Sequence, residues 1–219
     1  LKEFWHFGQE VTDGDPISKE YEKNIKCDEL PDFNMIGRKV YKQLEETGKI
    51  ILKAIALHLN LEENYFDGKV HNGNSILRAI HYPPITKKPE GSVRAAAHGD
   101  INLITLLMGA SNSGLQILNK KNEWISVTAL PEQIVVNIGD MLARLTNNKL
   151  CSSIHRVINP PKELWGTSRF SIPFFMHPRS EMSLNCLENC ITNENPKSYS
   201  DINAGDFLEQ RIKELGLKK

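Results

Sequence analysis

The chain has 219 residues, of which 27 are basic, 27 acidic and 40% hydrophobic. That length and apolar share suit one domain with one substantial core, and the balanced charge supplies no bulk field toward nucleic acid or an anionic membrane. No apolar run approaches the ~18 residues of a membrane span, no charged-then-apolar leader opens the chain, and Cys27, Cys151, Cys186 and Cys190 form no CxxC pair, which favours free thiols in a reducing, cytoplasmic compartment.

The chain opens at Leu1 without a methionine, so an upstream segment is expected. Residues 1–33 mix Phe4, Trp5 and Phe7 with Gly14, Asp15, Pro16 and Pro31, and read as an irregular N-terminal arm, the remnant of a longer region, lying on a core. Residues 34–219 read as the domain proper. Ile36, Val40, Leu44, Thr47, Ile51 and Ile55 recur at three- and four-residue steps, which predicts a helix from Asn34 to Leu59 that Gly48 weakens without breaking.

After a turn at Asp67-Gly68 the text becomes strand-like, over Ser75–Tyr82, Ile101–Met108, Leu115–Leu118, Trp124–Thr128, Gln133–Ile138, Ser153–Ile158 and Arg169–Met176. Pro83-Pro84, Ser113-Gly114, Lys121-Asn122, Gly139-Asp140 and Pro160-Pro161 punctuate these runs. Many short, closely spaced strands mean a sandwich, barrel or jelly roll. A last amphipathic helix is expected over Asn203–Leu215, with Phe207, Leu208, Ile212 and Leu215 on one side and Asn203 as its cap.

Chemistry-bearing residues gather in the strand region. In His98-Gly99-Asp100, residues two apart on an extended backbone point the same way, so an imidazole and a carboxylate can converge on one ion. A lone HxD triplet arises easily by chance. With His155 from another strand-like run, however, the set becomes two imidazoles and one carboxylate, the facial arrangement of non-haem Fe(II) oxygenases that leaves coordination positions open. Arg169 and Ser171 share parity on the last strand, where a guanidinium fork and a hydroxyl can grip one end of a dicarboxylate; Tyr82 offers a further phenolic donor.

The segments HGD, Ser152 to Val157 (SSIHRV), RFS and Leu77 to Pro84 (LRAIHYPP), with Asn137-Ile138-Gly139-Asp140 and Leu145-Thr146-Asn147, resemble the isopenicillin N synthase-like family of Fe(II)/2-oxoglutarate-dependent dioxygenases. The resemblance covers about Asn74 to Met176. It implies a mainly β core, a double-stranded β-helix or jelly roll over about 74–180, with flanking α-helices. It also implies Fe(II), O2 and 2-oxoglutarate as cofactor and cosubstrates. His98, Asp100 and His155 would be the metal ligands, and Arg169, Ser171 and Tyr82 would bind the distal carboxylate.

The implied activity is decarboxylation of 2-oxoglutarate to succinate and CO2, coupled to hydroxylation or desaturation of a small-molecule substrate. An Fe(II)/O2 oxidase that does not use 2-oxoglutarate, and a non-catalytic jelly-roll binding module, are the alternatives. One departure is Ile80, where several plant relatives have asparagine.

Parity also suggests pocket residues. Phe175 shares a face with Arg169, Ser171 and Pro173 and should project toward substrate, while Phe170 and Phe174 pack behind the strand. Arg78 shares parity with Tyr82 and reads as a partner for an acidic substrate group or as a surface ion pair. Arg94 is a similar candidate. Asn102 is placed to hydrogen-bond behind the metal or to substrate, and Arg156 reads as a structural ion-pair residue.

Overall fold

The computed structural model describes residues 2–11, 14–109, 113–128, 130 and 132–216. In chain order it has strand β1 (Glu3–Gly8), helix α1 (Pro31–His58), a single turn α2 (Asp67–Val70), and strands β2 (Ile76–Tyr82), β3 (Ala95–His98), β4 (Ile104–Met108), β5 (Leu115–Leu118), β6 (Trp124–Ser126) and β7 (Ile134–Ile138). Then come helix α3 (Asp140–Leu145), strands β8 (His155–Val157) and β9 (Arg169–Met176), and helix α4 (Ala204–Glu214). No described helix is long and apolar enough to cross a membrane.

The strands form two antiparallel sheets. The larger has the order β1-β2-β9-β4-β7 and the smaller β3-β8-β5-β6. Their facing surfaces enclose a pocket, and the other face of the larger sheet carries α1. Helices on the flanks of a two-sheet β core are the jelly-roll architecture expected from the sequence.

Alternation along β9 divides its side chains between these surroundings. Arg169, Ser171, Pro173 and Phe175 line the pocket. Phe174 and Met176 are fully buried in the core with Leu77, Leu106, Leu44 and Leu52. The Tyr41 ring of α1 meets Phe174 edge-on, with centroids 5.1 Å apart.

Helix α1 begins three residues earlier than expected. Pro31 takes a position in the first turn, where a missing N–H costs nothing. The Asn34 side chain ties the approach to the helix by donating to the Cys27 carbonyl and accepting from its N–H, at 2.8 and 3.1 Å.

The buried face is also rotated from the expected stripe. It runs through Gly37, Tyr41, Leu44, Gly48, Leu52 and Ala56, while Ile36 is 54% exposed. Close approach explains the rotation. A Cβ on Gly37 would lie 2.1 Å from the Phe7 ring, and one on Gly48 2.4 Å from Met176 Sδ, so the helix rests on the sheet through residues without side chains.

The arm expected to be irregular contains β1, paired with β2 from Glu3↔His81 to Gly8↔Ile76. Trp5 and Phe7 turn toward α1 and contact Phe33, with centroids 5.7 and 5.2 Å away. Alternation sends Lys2, Phe4 and His6 to the opposite, pocket-side face.

Other expectations are corrected. Strand β4 starts at Ile104, because residues 100–102 bend to meet α3. Phe170 does not pack behind β9; it is 54% exposed and stacked on His81 at 5.0 Å. Asn203 occupies the cap position of α4 but makes no side-chain cap hydrogen bond, and Leu215 is 58% exposed.

Candidate metal and cosubstrate site

His98 ends β3 and His155 opens β8, and the register of this antiparallel pair sets the two directly opposite each other. Their ring centroids are 4.4 Å apart. Asp100 sits two residues beyond His98, where backbone N–H groups at the start of α3 hold the bend: Asp140 donates to the Asp100 carbonyl at 2.7 Å and Met141 to that of Ile101 at 3.1 Å. The Asn-Ile-Gly-Asp segment thus anchors the carboxylate's backbone. Ligand atoms from His98, Asp100 and His155 all lie within 4.8 Å of one another.

Each of the three presents one defined ligand atom. His98 Nδ1 lies 2.7 Å from the Ala96 carbonyl and His155 Nδ1 2.9 Å from that of Ser153. A carbonyl can only accept, so each ring carries a proton on Nδ1 and leaves Nε2 as the nitrogen available to a metal. Burial, reinforced by the neighbouring His155, holds His98 below the ordinary histidine pKa despite the opposing Ala96 carbonyl and Asp100. That favours the neutral, ligating form.

On Asp100, Oδ2 accepts from Thr105 Oγ1 at 2.6 Å and from Asn137 Nδ2 at 2.9 Å. Oδ1 faces His155 Nε2 at 3.8 Å. Two imidazoles and one carboxylate, each with its other polar atom already bonded, fit a divalent iron with open positions.

A second polar group lies on the larger sheet. Tyr82 and Arg169 are cross-strand partners, and the guanidinium donates to the phenolic oxygen. Arg169, Ser171 and Tyr82 are 2%, 5% and 3% exposed, and all three line the pocket. Burial pushes the Tyr82 pKa up, opposed by Arg169, Arg78 and Arg94. The Arg169 and Arg94 guanidinium groups, 5.1 and 5.7 Å from the Tyr82 ring, make this end of the pocket positive.

The remaining candidates separate. Phe175 and Arg78 line the pocket, as does Ile80. Arg94 stands behind Tyr82, its guanidinium 5.7 Å from that ring, and donates to the Thr167 carbonyl at 3.4 Å. Asn102 is fully buried and donates to Thr105 Oγ1 at 2.9 Å, so it supports the Thr105–Asp100 bond and does not reach the pocket. Arg156 makes no ion pair among the described residues; it donates to Gln116 Oε1 at 2.8 Å and lies 4.0 Å over the Trp124 ring.

Sequence reasoning missed Thr105 and Asn137 as partners of Asp100, and Lys2 and His6 beside the pocket. Asn137 did carry a signal, being the one polar residue inside the apolar run Ile134–Ile138.

Residues 73–178 match the 2OG-Fe(II) oxygenase superfamily. A Caulobacter crescentus protein described as a member of the 2OG-Fe(II) oxygenase family superimposes with a TM-score of 0.91 at 45% identity, covering 98% of this chain and 70% of that one. A full-length Neurospora crassa protein, crystallised in complex with alpha-KG and 5-formyluracil, superimposes with a TM-score of 0.83 at 33% identity, over 97% of this chain and 68% of that one. The 2-oxoglutarate-Fe(II) type oxidoreductase hxnY of Emericella nidulans is 32% identical over 225 residues, 98% of this chain and 63% of that protein. The chain spans half to two thirds of the length of the curated relatives it matches. With motif, fold and site in agreement, the chain belongs to the 2OG-Fe(II) oxygenase superfamily.

Proposed function

We propose that the protein is a non-haem Fe(II)- and 2-oxoglutarate-dependent oxygenase acting on a small molecule. The observation that carries this reading is the convergence of three preset ligand atoms, His98 Nε2, Asp100 Oδ1 and His155 Nε2, in the same pocket as the buried Arg169, Ser171 and Tyr82. His98, Asp100 and His155 hold the iron. Arg169 grips the distal carboxylate of 2-oxoglutarate through its fork, Ser171 donates a further bond, and Tyr82 orients the guanidinium. Once bound, iron and 2-oxoglutarate supply the oxidising power, as decarboxylation to succinate and CO2 coupled to C–H hydroxylation or desaturation.

The chain's own groups position and shield. Thr105 and Asn137 fix the Asp100 carboxylate, with Asn102 behind Thr105. Leu107, Leu115, Ile117, Val135 and Val157 line the space between the sheets with hydrocarbon, which keeps water from the reacting centre. Phe175 and Arg78 form the substrate side, and Arg94 adds positive charge behind Tyr82. The small-molecule reading is supported by the 5-formyluracil that accompanies alpha-KG in the Neurospora crassa structure. A reducing, cytoplasmic setting accords with the free thiols of Cys27, Cys151, Cys186 and Cys190.

The test is release of labelled CO2 from 1-labelled 2-oxoglutarate by iron-loaded protein. Slow uncoupled release, lost in His98→Ala, is expected. Oxygen consumption without CO2 release would point to the oxidase that dispenses with 2-oxoglutarate, and neither activity to the binding module.

A further inference from the structure

Strand β1 brings a second basic group to the pocket, away from the one assigned to 2-oxoglutarate. Arg78 and Lys2 both line the cavity. The Arg78 guanidinium lies between two aromatic rings, 4.7 Å from the Phe4 centroid and 5.1 Å from that of Phe175. Its Nε donates to His6 Nε2 at 2.7 Å. That bond consumes the edge of the guanidinium facing β1 and leaves the two terminal nitrogens for another partner. His6 accepts because it is neutral: burial, then the adjacent guanidinium, pushes its pKa down to about 4.

Neither cation has an acidic partner within ion-pair distance among the described residues. Asp100 is the carboxylate whose charge reaches Arg78, and it is already held by Thr105 and Asn137 and turned toward His155. Lys2 and Arg78 repel each other, and burial disfavours the charge on both. Two cations held on one side of the cavity, with burial working against their charge and no acidic partner among the described residues, call for an anion.

The 2-oxoglutarate carboxylate assigned to Arg169 does not serve. Arg169 pairs across the sheet with Tyr82, four strand positions from Arg78, which is roughly 13 Å along β2. One carboxylate cannot bridge that distance.

We propose that Lys2 and Arg78, flanked by Phe4 and Phe175, form a subsite for a carboxylate on the substrate, so that the oxidised molecule is a small organic acid. This rests on the oxygenase reading for its consequence, since the acid held there is what the iron centre acts upon. The aromatic plates favour a planar, unsaturated body next to the carboxylate. His6 is a positioning residue that aims the fork.

The test uses benzoate and its neutral analogue benzamide as probes, titrated calorimetrically into the full chain at saturating 2-oxoglutarate, which blocks Arg169. Benzoate is expected to bind at least about tenfold more tightly than benzamide, as a charge-assisted pair in a partly dry site implies. In Arg78→Met that preference should vanish while 2-oxoglutarate affinity stays at the wild-type level; Lys2→Met and His6→Leu should reduce it in part. Equal binding of the two probes, no benzoate binding, or a preference that survives Arg78→Met would overturn the proposal. A failure of the oxygenase reading appears separately, as absence of CO2 release from 2-oxoglutarate.

Discussion

Thr105→Val tests how the Asp100 carboxylate is held. The threonine hydroxyl is the middle of a buried relay, receiving a bond from Asn102 Nδ2 at 2.9 Å and donating one to Asp100 Oδ2 at 2.6 Å. Valine keeps the shape and removes both bonds. A hydrogen bond to a charged group contributes about 1.5–3 kcal/mol, and losing a partner of a metal-ligating side chain typically costs roughly 10–100-fold in metal affinity.

Asn137 still donates to the same oxygen at 2.9 Å, so the lower half of that range applies and Fe(II) affinity should fall about tenfold. The metal-free protein should also lose stability, because the fully buried Asn102 is left without its acceptor at a cost of about 1–3 kcal/mol. Anaerobic competition against a chromophoric chelator reads the first effect and thermal melting the second. Thr105→Ser restores the hydroxyl and should recover most of both. Wild-type iron affinity in Thr105→Val would refute the relay.

Three further outcomes follow from the packing and the charges. Gly37→Ala places a methyl 2.1–2.5 Å from buried Phe7 ring atoms; overpacking of about 1–3 kcal/mol should outweigh the helix propensity gained, lowering the urea midpoint. His177, whose ring Nδ1 is buried without a hydrogen-bond partner, has its pKa pushed down to about 4 by burial. As pH falls below ~6.5 the unfolded chain takes up a proton that the native ring refuses until about 4, so stability should drop across that window by an amount on the order of 3 kcal/mol. His177→Leu should flatten the slope in equilibrium unfolding, and an unchanged slope would contradict the assignment.

Asp15 is held well below the usual carboxylate range by hydrogen bonds from Arg179, Asn72 and the Ile17 N–H. Its contribution should therefore be complete above the unfolded carboxylate pKa and be lost only as pH falls beneath it. The stability gap between wild type and Asp15→Asn should close in acid; a gap independent of pH would count against the ion pair.

Much of the site was legible because each part obeys a short-range rule. His98 and Asp100 are two residues apart at a strand end, Arg169 and Ser171 share one face of a strand, and Phe175 follows by the same parity. What escaped depends on long-range pairing. Strand β1 exists because β2 offers it an edge and α1 a surface, and neither partner is visible in Glu3–Gly8 alone. The face of α1 was misplaced because periodicity weighs large apolar side chains, whereas this helix packs through Gly37, Gly48 and Ala56. Arg156 was expected to find an acid and instead lies over Trp124, a choice that only the β5–β6–β8 pairing makes possible. Asn137 was seen as part of a motif, but its role needs the fold that carries β7 to Asp100.

The most direct test of the proposed site is anaerobic addition of Fe(II) and 2-oxoglutarate, watching for the visible metal-to-ligand charge-transfer band of the chelate. The geometry predicts a band in the wild-type protein, no band in His98→Ala, and a band shifted to much higher 2-oxoglutarate concentration in Arg169→Ala. A folded, iron-loaded wild type that gives no band would contradict the assignment of this pocket to 2-oxoglutarate.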